Sequence, residues 1–422
     1  MFIERFKQVL EMENLSKVAA VCKSLVRILF VLLNNIYCIP TYVLWMVLFA
    51  PLRKCNPDLY WKIEGQFFHG LLAMVAMWSW SAGYDTHKVL YQYIQKFLLA
   101  RSVVEQGDDI QTCLEERTLV IANHQSTADV PLLMATFNAK PNVLPNLMWI
   151  MDRIFKYTNF GIVSIIHQDF FIVSGKEKRL ESLEGLRRHL YESYIPRGRK
   201  WMVLFPEGGF LRKRRETSQR YALKNNLPVL QHVSLPRVGA LQTIIDVVGP
   251  VESASVRQSE KKSDIPNSIE NDVMAKVTSD PAEILAALQT SSEGNSSGKL
   301  NWVLDITIAY PEGKPLDLSD IITGYRKPCK TFMFYRLFRC SEVPQEHDAM
   351  AHWLYDRFAE KEKLLEAFYR TGEFPSQEFC SHPKPPQEVQ QDGFRFFVLH
   401  VLFITSTILH LRLLSYAASF VW

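Results

Sequence analysis

Two residues five positions apart, His124 and Asp129, could together activate an alcohol for nucleophilic attack. A neutral imidazole accepts the hydroxyl proton, while a carboxylate binds the other ring N–H, fixes the tautomer and stabilises the imidazolium that forms. On one continuous helix this spacing would turn the two side chains about 140° apart, too far for a direct hydrogen bond. We therefore expect His124 in a turn that precedes a helix. Pro131, tolerated in a first turn, places the helix start near Ser126 or Thr127.

A second motif, Phe205–Gly209 (Phe-Pro-Glu-Gly-Gly), ends an apolar run and precedes four consecutive cations. Glycines let a backbone approach a ligand closely, and the cations supply donors for phosphate. We expect donors near Gly208 and Gly209 to stabilise a tetrahedral oxyanion. We expect Glu207 to hold a hydroxyl of the substrate or to fix the geometry of the motif. The cations are Arg212, Lys213, Arg214 and Arg215.

Each motif alone also has a structural interpretation. His124 could cap a helix, with Asp129 as a solvated acid in its first turn, where the helix dipole favours a carboxylate. Phe205–Gly209 could be a β-turn before a solvated basic helix. A third segment, Leu227–Arg237, is predicted as a short strand that closes in Pro-Arg, and His232 within it is more consistent with a structural role than with a catalytic one.

In their order and combination these motifs resemble the glycerolipid acyltransferases of the PlsC-like superfamily, over about residues 90–380. Asn123 to Asp129 matches the first box of that family (NHxxxxD), Phe205–Gly208 the third, and Leu235–Arg237 the fourth. The resemblance implies an acyl-CoA-dependent O-acyltransferase that acylates a lysophospholipid hydroxyl in phospholipid remodelling. It implies His124 as general base and Asp129 as its orienting partner. The implied substrate contacts are Asn123, Glu207, Gly208, Gly209, Arg212, Lys213 and Arg237.

Two departures from the family pattern concern the headgroup of the acceptor. The third box usually continues with Thr-Arg, whereas a Gly-Phe pair follows here, so we expect Arg212 to take over the contact with the acceptor phosphate. The second box reads Phe171–Ser174 and lacks its arginine, which Lys176 or Lys178 could replace. Lysophosphatidylglycerol and lysophosphatidylethanolamine are the favoured acceptors, and a monoacylglycerol or lysophosphatidate is the alternative.

The expected partners are acyl-CoA, a lysophospholipid and the lipid bilayer. Nucleic acid is not expected, because Lys plus Arg (48) barely exceed Asp plus Glu (44). Acyl-CoA is a co-substrate, and neither cofactor nor metal is expected, since no His, Cys and Asp cluster has ligand spacing.

The rival classes of protein are a hydrolase, which would need a Gly-x-Ser-x-Gly motif, and a non-catalytic membrane scaffold. The seven cysteines, odd in number and scattered, indicate reduced thiols facing the cytosol.

Short β-branched runs alternate with helical patterns in the middle of the chain, which predicts an α/β fold with a mixed sheet flanked by helices. The predicted strands are Thr118–Ala122, Gly161–Ile166, Asp169–Val173, Trp201–Phe205 and Trp302–Ala309. The predicted helices are Val130–Asn138, Lys176–Tyr194 and Gln345–Tyr369. We expect an N-terminal membrane-anchoring region at 1–85, an acyltransferase domain at 86–380 with a disordered insertion at 252–298, and a C-terminal transmembrane helix at 394–422.

Apolar segments lie at both ends of the chain. Leu25–Leu52 carries one formal charge, Arg27, and exceeds the roughly 20 residues needed to cross a bilayer. Because basic residues flank it on both sides, we expect a hairpin or re-entrant pair bent near Pro40. Phe67–Gly83 either meets the membrane or is a buried core helix, and Phe394–Trp422 predicts a terminal hydrophobic helix. Together these segments predict a multi-pass protein of the endoplasmic reticulum membrane with its active site on the cytosolic side.

Overall fold

The computed structural model describes residues 2–82, 103–173, 175, 177–250, 298–327 and 329–420, with side chains from residue 17 onward. The insertion predicted at 252–298 therefore lies almost wholly outside the described residues. The helices are α1 Phe2–Leu48, α2 Leu52–Cys55, α3 Pro57–Ser81, α4 Asp129–Asn138, α5 Asn159–His167, α6 Arg179–His189, α7 Leu211–Lys224, α8 Gly239–Val248, α9 Leu318–Thr323, α10 His347–Thr371, α11 Ser376–Phe379 and α12 Gly393–Ala418. The strands are β1 Val103–Gly107, β2 Thr118–Ala122, β3 Leu147–Asp152, β4 Phe170–Ile172, β5 Trp201–Leu204, β6 Trp302–Ala309, β7 Thr331–Arg339 and β8 Lys384–Glu388.

The described strands form one mixed sheet in the order β4-β3-β5-β2-β6-β7-β1-β8. Neighbours from β4 to β6 are parallel, whereas β7 is antiparallel to β6 and β8 is antiparallel to β1. Alternate residues of a strand point to opposite faces of the sheet, and helices cover both faces. Val120 packs in the core with α3 and α4, and its neighbour Leu119 packs in the core with α8 and α10. A mixed sheet flanked by helices is the predicted fold class.

The prediction of a strand at Gly161–Ile166 is wrong, because this run lies inside α5. β3 and β4 are parallel neighbours, so the chain between them must cross from one end of the sheet to the other. α5 is the regular element of that crossover. It buries Val163 and His167, four residues apart on one face, and leaves Ile162 exposed on another.

The strand predicted within Leu227–Arg237 is also wrong, because this segment is an irregular loop. Its backbone N–H groups bond to carboxylates instead of to a neighbouring strand. Glu362 of α10 accepts from the N–H groups of Gln231 and His232 at 2.7 and 2.8 Å. Glu207 accepts from the Ser234 N–H at 2.9 Å, so two carboxylates fix the middle of the loop.

The hairpin predicted near Pro40 is wrong, because α1 continues through this proline to Leu48. The helix is packed against its neighbours on both sides of the proline. Cys38 and Tyr42 are buried, and the Tyr42 hydroxyl donates to Glu64 Oε1 of α3 at 2.6 Å. α3 itself is mostly buried, so the apolar stretch at 67–83 is a core helix as far as residue 82.

Two helices in the described ranges are long and apolar enough to cross a membrane, Lys17–Leu48 within α1 and Gly393–Ala418, which is α12. The predicted terminal hydrophobic helix is therefore present. The two helices pack against each other. The Oγ1 atoms of Thr41 and Thr407 are 3.0 Å apart, and Trp45 Nε1 donates to Ser406 Oγ at 3.3 Å.

Candidate active site

The two residues of the first motif meet at the carboxyl end of β2. α4 begins at Asp129, so His124 lies in the preceding turn, as its spacing predicts. His124 Nδ1 lies 2.8 Å from Asp129 Oδ2, and the carboxylate is fully buried whereas His124 is 9% exposed. The carboxylate accepts the Nδ1 proton, which leaves Nε2 as the basic nitrogen.

The Asp129 carboxylate is held on both of its oxygens. Oδ2 also accepts the backbone N–H groups of Gln125 and Ser126 at 2.7 and 2.9 Å. Oδ1 accepts the Tyr310 hydroxyl at 2.5 Å. Burial, and then the adjacent carboxylate, raises the pKa of Tyr310, so this hydroxyl stays a donor. These bonds stabilise the ionised carboxylate that an imidazolium needs beside it.

Tyr310 is a site residue that the sequence analysis missed. It follows β6 directly, and β6 is the parallel neighbour of β2, so the carboxyl ends of both strands lie at one edge of the sheet. A polar residue directly after an apolar strand was the available signal. Its partner could not be inferred, because the order of the strands was not known.

Glu207 connects the first motif to the loop before Arg237. Its Oε1 accepts the His124 backbone N–H at 2.7 Å, and its Oε2 accepts the Ser234 N–H at 2.9 Å together with the Ser234 hydroxyl. Glu207 is 2% exposed, and burial raises its pKa to about 7. Of the two roles expected for it, the geometry therefore favours fixing the motif over holding a substrate hydroxyl.

Asn123 has a similar internal role, although the family resemblance implies a substrate contact. Its Nδ2 donates to Ile308 O at 3.0 Å, and its Oδ1 accepts Ile308 N–H at 2.7 Å. The side chain is fully buried. Asn123 thus joins the ends of β2 and β6 instead of facing a substrate.

Phe205 of the second motif and Phe210, which follows the motif, enclose the His124 ring. Phe205 stacks on it with centroids 4.1 Å apart, and Phe210 packs on it at 4.4 Å with a 55° tilt. Leu211 N–H donates to His124 O at 2.8 Å, which fixes the turn against the start of α7. The imidazole is thus held in a narrow apolar slot, where a proton transfer is shielded from bulk water.

Gly208 and Gly209 both have positive φ, +68° and +154°. A Cβ on Gly209 would lie 2.8 Å from Arg214 Nε, and one on Gly208 would lie 3.3 Å from Arg237 Cζ. The glycines therefore let two guanidinium groups approach the turn. Gly208 N–H already bonds to Phe205 O at 3.1 Å, while Gly209 N–H has no acceptor among the described residues and is the better candidate oxyanion donor.

Three arginines gather beside this turn, Arg179, Arg214 and Arg237, which we call the arginine cluster. Arg214 donates to Gly208 O at 2.6 Å, and a Cβ on Gly239 would lie 3.2 Å from Arg179 Nη2. Burial lowers the pKa of Arg237, and the charges of Arg214 and Arg179 lower it further. Within the described ranges none of the three forms an ion pair with a carboxylate. Like charges so close together favour a bound anion.

The cations named from the sequence are placed differently from one another. Arg237 belongs to the arginine cluster, whereas Arg212 points the other way and pairs with Asp317 at 3.3 Å. Lys213 and Lys178 are exposed, and Lys176 lies outside the described residues. Of the cations at the start of α7, it is Arg214, two residues further along the helix, that lies in the arginine cluster.

A cavity of about 620 Å³ opens next to the first motif. It lies beside Gln125 and Ser126, on the side of the motif where Arg212 and Arg215 project. His232 lines it with its ring edge-on to Tyr369, 5.0 Å between centroids, which agrees with a structural role for this histidine. The cavity is large enough for the polar part of a co-substrate.

Comparison with known proteins places these motifs in a family. The family model "Acyltransferase" matches residues 101–242, and the model "Acyltransferase C-terminus" matches residues 320–399. The chain is 42% identical to acyl-CoA:lysophosphatidylglycerol acyltransferase 1 of Mus musculus over 84% of both chains. The human protein of that name is also 42% identical, over 84% of this chain and 83% of its own. A putative 1-acyl-sn-glycerol-3-phosphate acyltransferase of Caenorhabditis elegans is 27% identical, over 79% of this chain and 73% of its own.

Proposed function

This chain belongs to the glycerolipid acyltransferase family, and from that premise we propose that it transfers a fatty acyl group from acyl-CoA to a hydroxyl of lysophosphatidylglycerol. The class of reaction, acyl-CoA-dependent acylation of a lysophospholipid, agrees with the names of its relatives. One observation carries the proposal. A histidine with a carboxylate on one nitrogen and no described partner on the other lies in an apolar slot beside an arginine cluster.

The transfer runs in one ternary complex, without an acyl-enzyme. His124 Nε2 accepts the proton of the lysolipid hydroxyl while the hydroxyl oxygen attacks the thioester carbonyl. The tetrahedral intermediate carries its negative charge on the former carbonyl oxygen, for which Gly209 N–H is the candidate donor. Collapse of the intermediate breaks the C–S bond, and the CoA thiolate takes the proton from His124. No metal or prosthetic group takes part in this sequence, and acyl-CoA is consumed as a co-substrate.

The arginine cluster supports a phosphate-bearing acceptor. Its guanidinium groups match a phosphodiester, and a monoacylglycerol would leave them without an anion. Because none of the three arginines pairs with a described carboxylate, the cluster favours a headgroup without a cation. Lysophosphatidylglycerol carries one net negative charge, whereas the ethanolamine headgroup brings an ammonium close to the arginines. Of these two headgroups, charge therefore favours glycerol.

A panel of acceptors tests this assignment. Full-length protein in nanodiscs, with labelled acyl-CoA, is offered lysolipids that differ only in headgroup. We expect lysophosphatidylglycerol to give the highest kcat/KM, followed by lysophosphatidylethanolamine. A preference for lysophosphatidate is the second candidate, since the relative from Caenorhabditis elegans bears that acceptor's name. Transfer to monoacylglycerol at an equal rate would refute the role of the arginine cluster, and free fatty acid formed without acceptor would indicate a hydrolase.

Two candidate membrane helices indicate a membrane protein, and both lipid substrates partition into bilayers. We place it in the endoplasmic reticulum membrane as a multi-pass protein whose catalytic body faces the cytosol. The seven free cysteines are consistent with a reducing compartment. Protease digestion of the body in sealed microsomes tests this orientation, and full protection of the body would contradict it.

A further inference from the structure

Five large apolar side chains are exposed close together after β3, and we call them the apolar lip: Ile154, Phe155, Tyr157, Ile162 and Ile165. The most exposed are Ile154 and Tyr157, at 68% and 75%. Two exposed cations, Arg153 and Lys156, are interleaved with them. Alternating large apolar and basic side chains are typical of a surface that meets lipid headgroups and the acyl region below them.

The apolar lip lies at the catalytic edge of the sheet. β3, β5 and β2 are parallel neighbours, so their carboxyl ends point to one edge. β2 leads to His124, β5 leads to Glu207, and β3 leads directly to Arg153. The lip therefore lies at the edge of the sheet that carries the catalytic turn, two strands away from β2.

The lip is also continuous with the candidate membrane helix α1. Asn159 Nδ2, between the two halves of the lip, donates to Asn35 Oδ1 at 2.9 Å. On α1 the residues next to this contact, Leu32 and Ile36, are exposed, at 55% and 65%. A bilayer that covers the apolar face of α1 at this level also reaches the lip beside it.

We propose that the apolar lip inserts into the surface of the bilayer that holds α1, with Arg153 and Lys156 on lipid phosphates. The lip then gives the acyl chains of the lysolipid and of acyl-CoA a path from the bilayer to the catalytic edge without crossing water. The identity of these lipids rests on the proposed function, whereas the docking of the lip on the bilayer does not. A bilayer fits better than a protein partner, because the lip continues a membrane-helix face and carries cations.

Hydroxyl-radical footprinting of the native chain tests the docking without any need for activity. Full-length protein is compared in nanodiscs of phosphatidylcholine with phosphatidylglycerol, one copy per disc. Tyr157 is more exposed than Tyr221 of α7, 75% against 54%, yet we expect at least fivefold slower oxidation of Tyr157 in nanodiscs. Oxidation of Tyr157 as fast as that of Tyr221 overturns the proposal. Protection of Tyr157 that appears only with two copies per disc also overturns it, in favour of a dimer interface.

A matched pair of variants tests the path for acyl chains. Ile154→Glu with Tyr157→Glu charges the lip, and Leu223→Glu with Tyr221→Glu makes the same change on α7. We expect the lip variant to lose at least about fivefold in rate with lysolipid in vesicles, but less than twofold with short-chain substrates dissolved as monomers. The α7 variant should keep both rates within twofold. Equal losses of the lip variant with both kinds of substrate, or no loss, contradict the path. If the wild type acylates no lysolipid, the proposed function fails, and the footprint alone decides the docking.

Discussion

Among the described residues, two buried histidine–carboxylate pairs have the same first contact, between Nδ1 of the histidine and a carboxylate oxygen. His124 Nδ1 is 2.8 Å from Asp129, and His167 Nδ1 is 2.8 Å from Glu64. They differ at the second nitrogen. His167 Nε2 bonds to Leu147 O at 2.8 Å, whereas His124 Nε2 has no partner among the described residues. A histidine–carboxylate pair can act as a base only where its other nitrogen is free and reachable.

The surroundings of the two pairs match this difference. His167 is fully buried and stacks on Phe68 with centroids 3.4 Å apart. Both of its ring nitrogens face oxygen acceptors, and burial lowers the pKa of this histidine. Although burial opposes ionisation, His167 and Arg197 bring the pKa of Glu64 down to about 2. This second pair therefore fastens α3 to the sheet and takes no part in proton transfer.

Exchanging each histidine for alanine separates the two pairs most sharply. His124→Ala removes the base, so we expect kcat to fall at least ~10²-fold with little change in the free energy of unfolding. His167→Ala breaks a buried charged pair, so we expect about 3–5 kcal/mol of destabilisation with kcat per folded molecule retained. Steady-state turnover and denaturant unfolding of both variants check this, with the exposed His352→Ala as control. The opposite assignment of the two effects would contradict the comparison.

The arginine cluster should affect binding of the lysolipid, whereas His124 should affect the rate of the chemical step. Arg237→Ala removes one guanidinium from the proposed phosphate site, so we expect KM for lysophosphatidylglycerol to rise about tenfold while kcat changes less than threefold. Lys213→Ala, on the exposed face of α7, is the matched control and should leave KM within twofold. An equal rise in KM for both variants would mean that the cations act only through long-range charge.

Each carboxylate of the two pairs accepts a tyrosine hydroxyl: Tyr42 donates to Glu64, and Tyr310 donates to Asp129. Of these two tyrosines, Tyr310 contacts the pair assigned to catalysis. Tyr310→Phe removes the donor to Asp129 Oδ1, so we expect kcat to fall about 3–10-fold. With that donor gone, more of the carboxylate charge acts on the imidazolium, and the acid limb of the pH–rate profile moves to higher pH. A loss of stability with an unmoved pH profile would make Tyr310 merely structural.

Substitution of Glu64 should have the smallest effect on catalysis. It should also change how the free energy of unfolding depends on pH. Its pKa is lowered from 4.5 to about 2, so its contribution is fully present above about pH 4.5 and is lost as the pH falls toward 2. The shift corresponds to about 3 kcal/mol. We expect the free energy of unfolding of Glu64→Gln to be lower at pH 7 and to fall less steeply over that acid range. Parallel curves for variant and wild type would show that Glu64 gains nothing from its partners.

Sequence reasoning predicted the local features of the site and missed its long-range ones. The turn at His124 and its contact with Asp129 follow from spacing and from Pro131, which are local. Tyr310 lies 181 positions beyond Asp129 along the chain and joins it only through the order of the strands. His167–Glu64 is a pair of the same kind, separated by 103 positions, and no local pattern marks it.

The wrong secondary-structure predictions have the same origin. The β-branched run at Gly161–Ile166 suits a strand by composition, but its place between two parallel strands requires a crossover, which α5 makes. Pro40 suggested a bend, yet tertiary packing of Cys38 and Tyr42 carries α1 through it. In each case contacts with distant residues overrode the local preference.

The central claim is that His124, and not His167, offers a free Nε2 to the substrate. Diethyl pyrocarbonate acylates accessible neutral imidazole, so its sites can be mapped by mass spectrometry while acyl transfer is measured on the same sample. We predict that activity falls in proportion to modification of His124, that acyl-CoA with lysolipid slows both, and that His167 stays unmodified. Full activity in molecules whose His124 is modified would contradict the account.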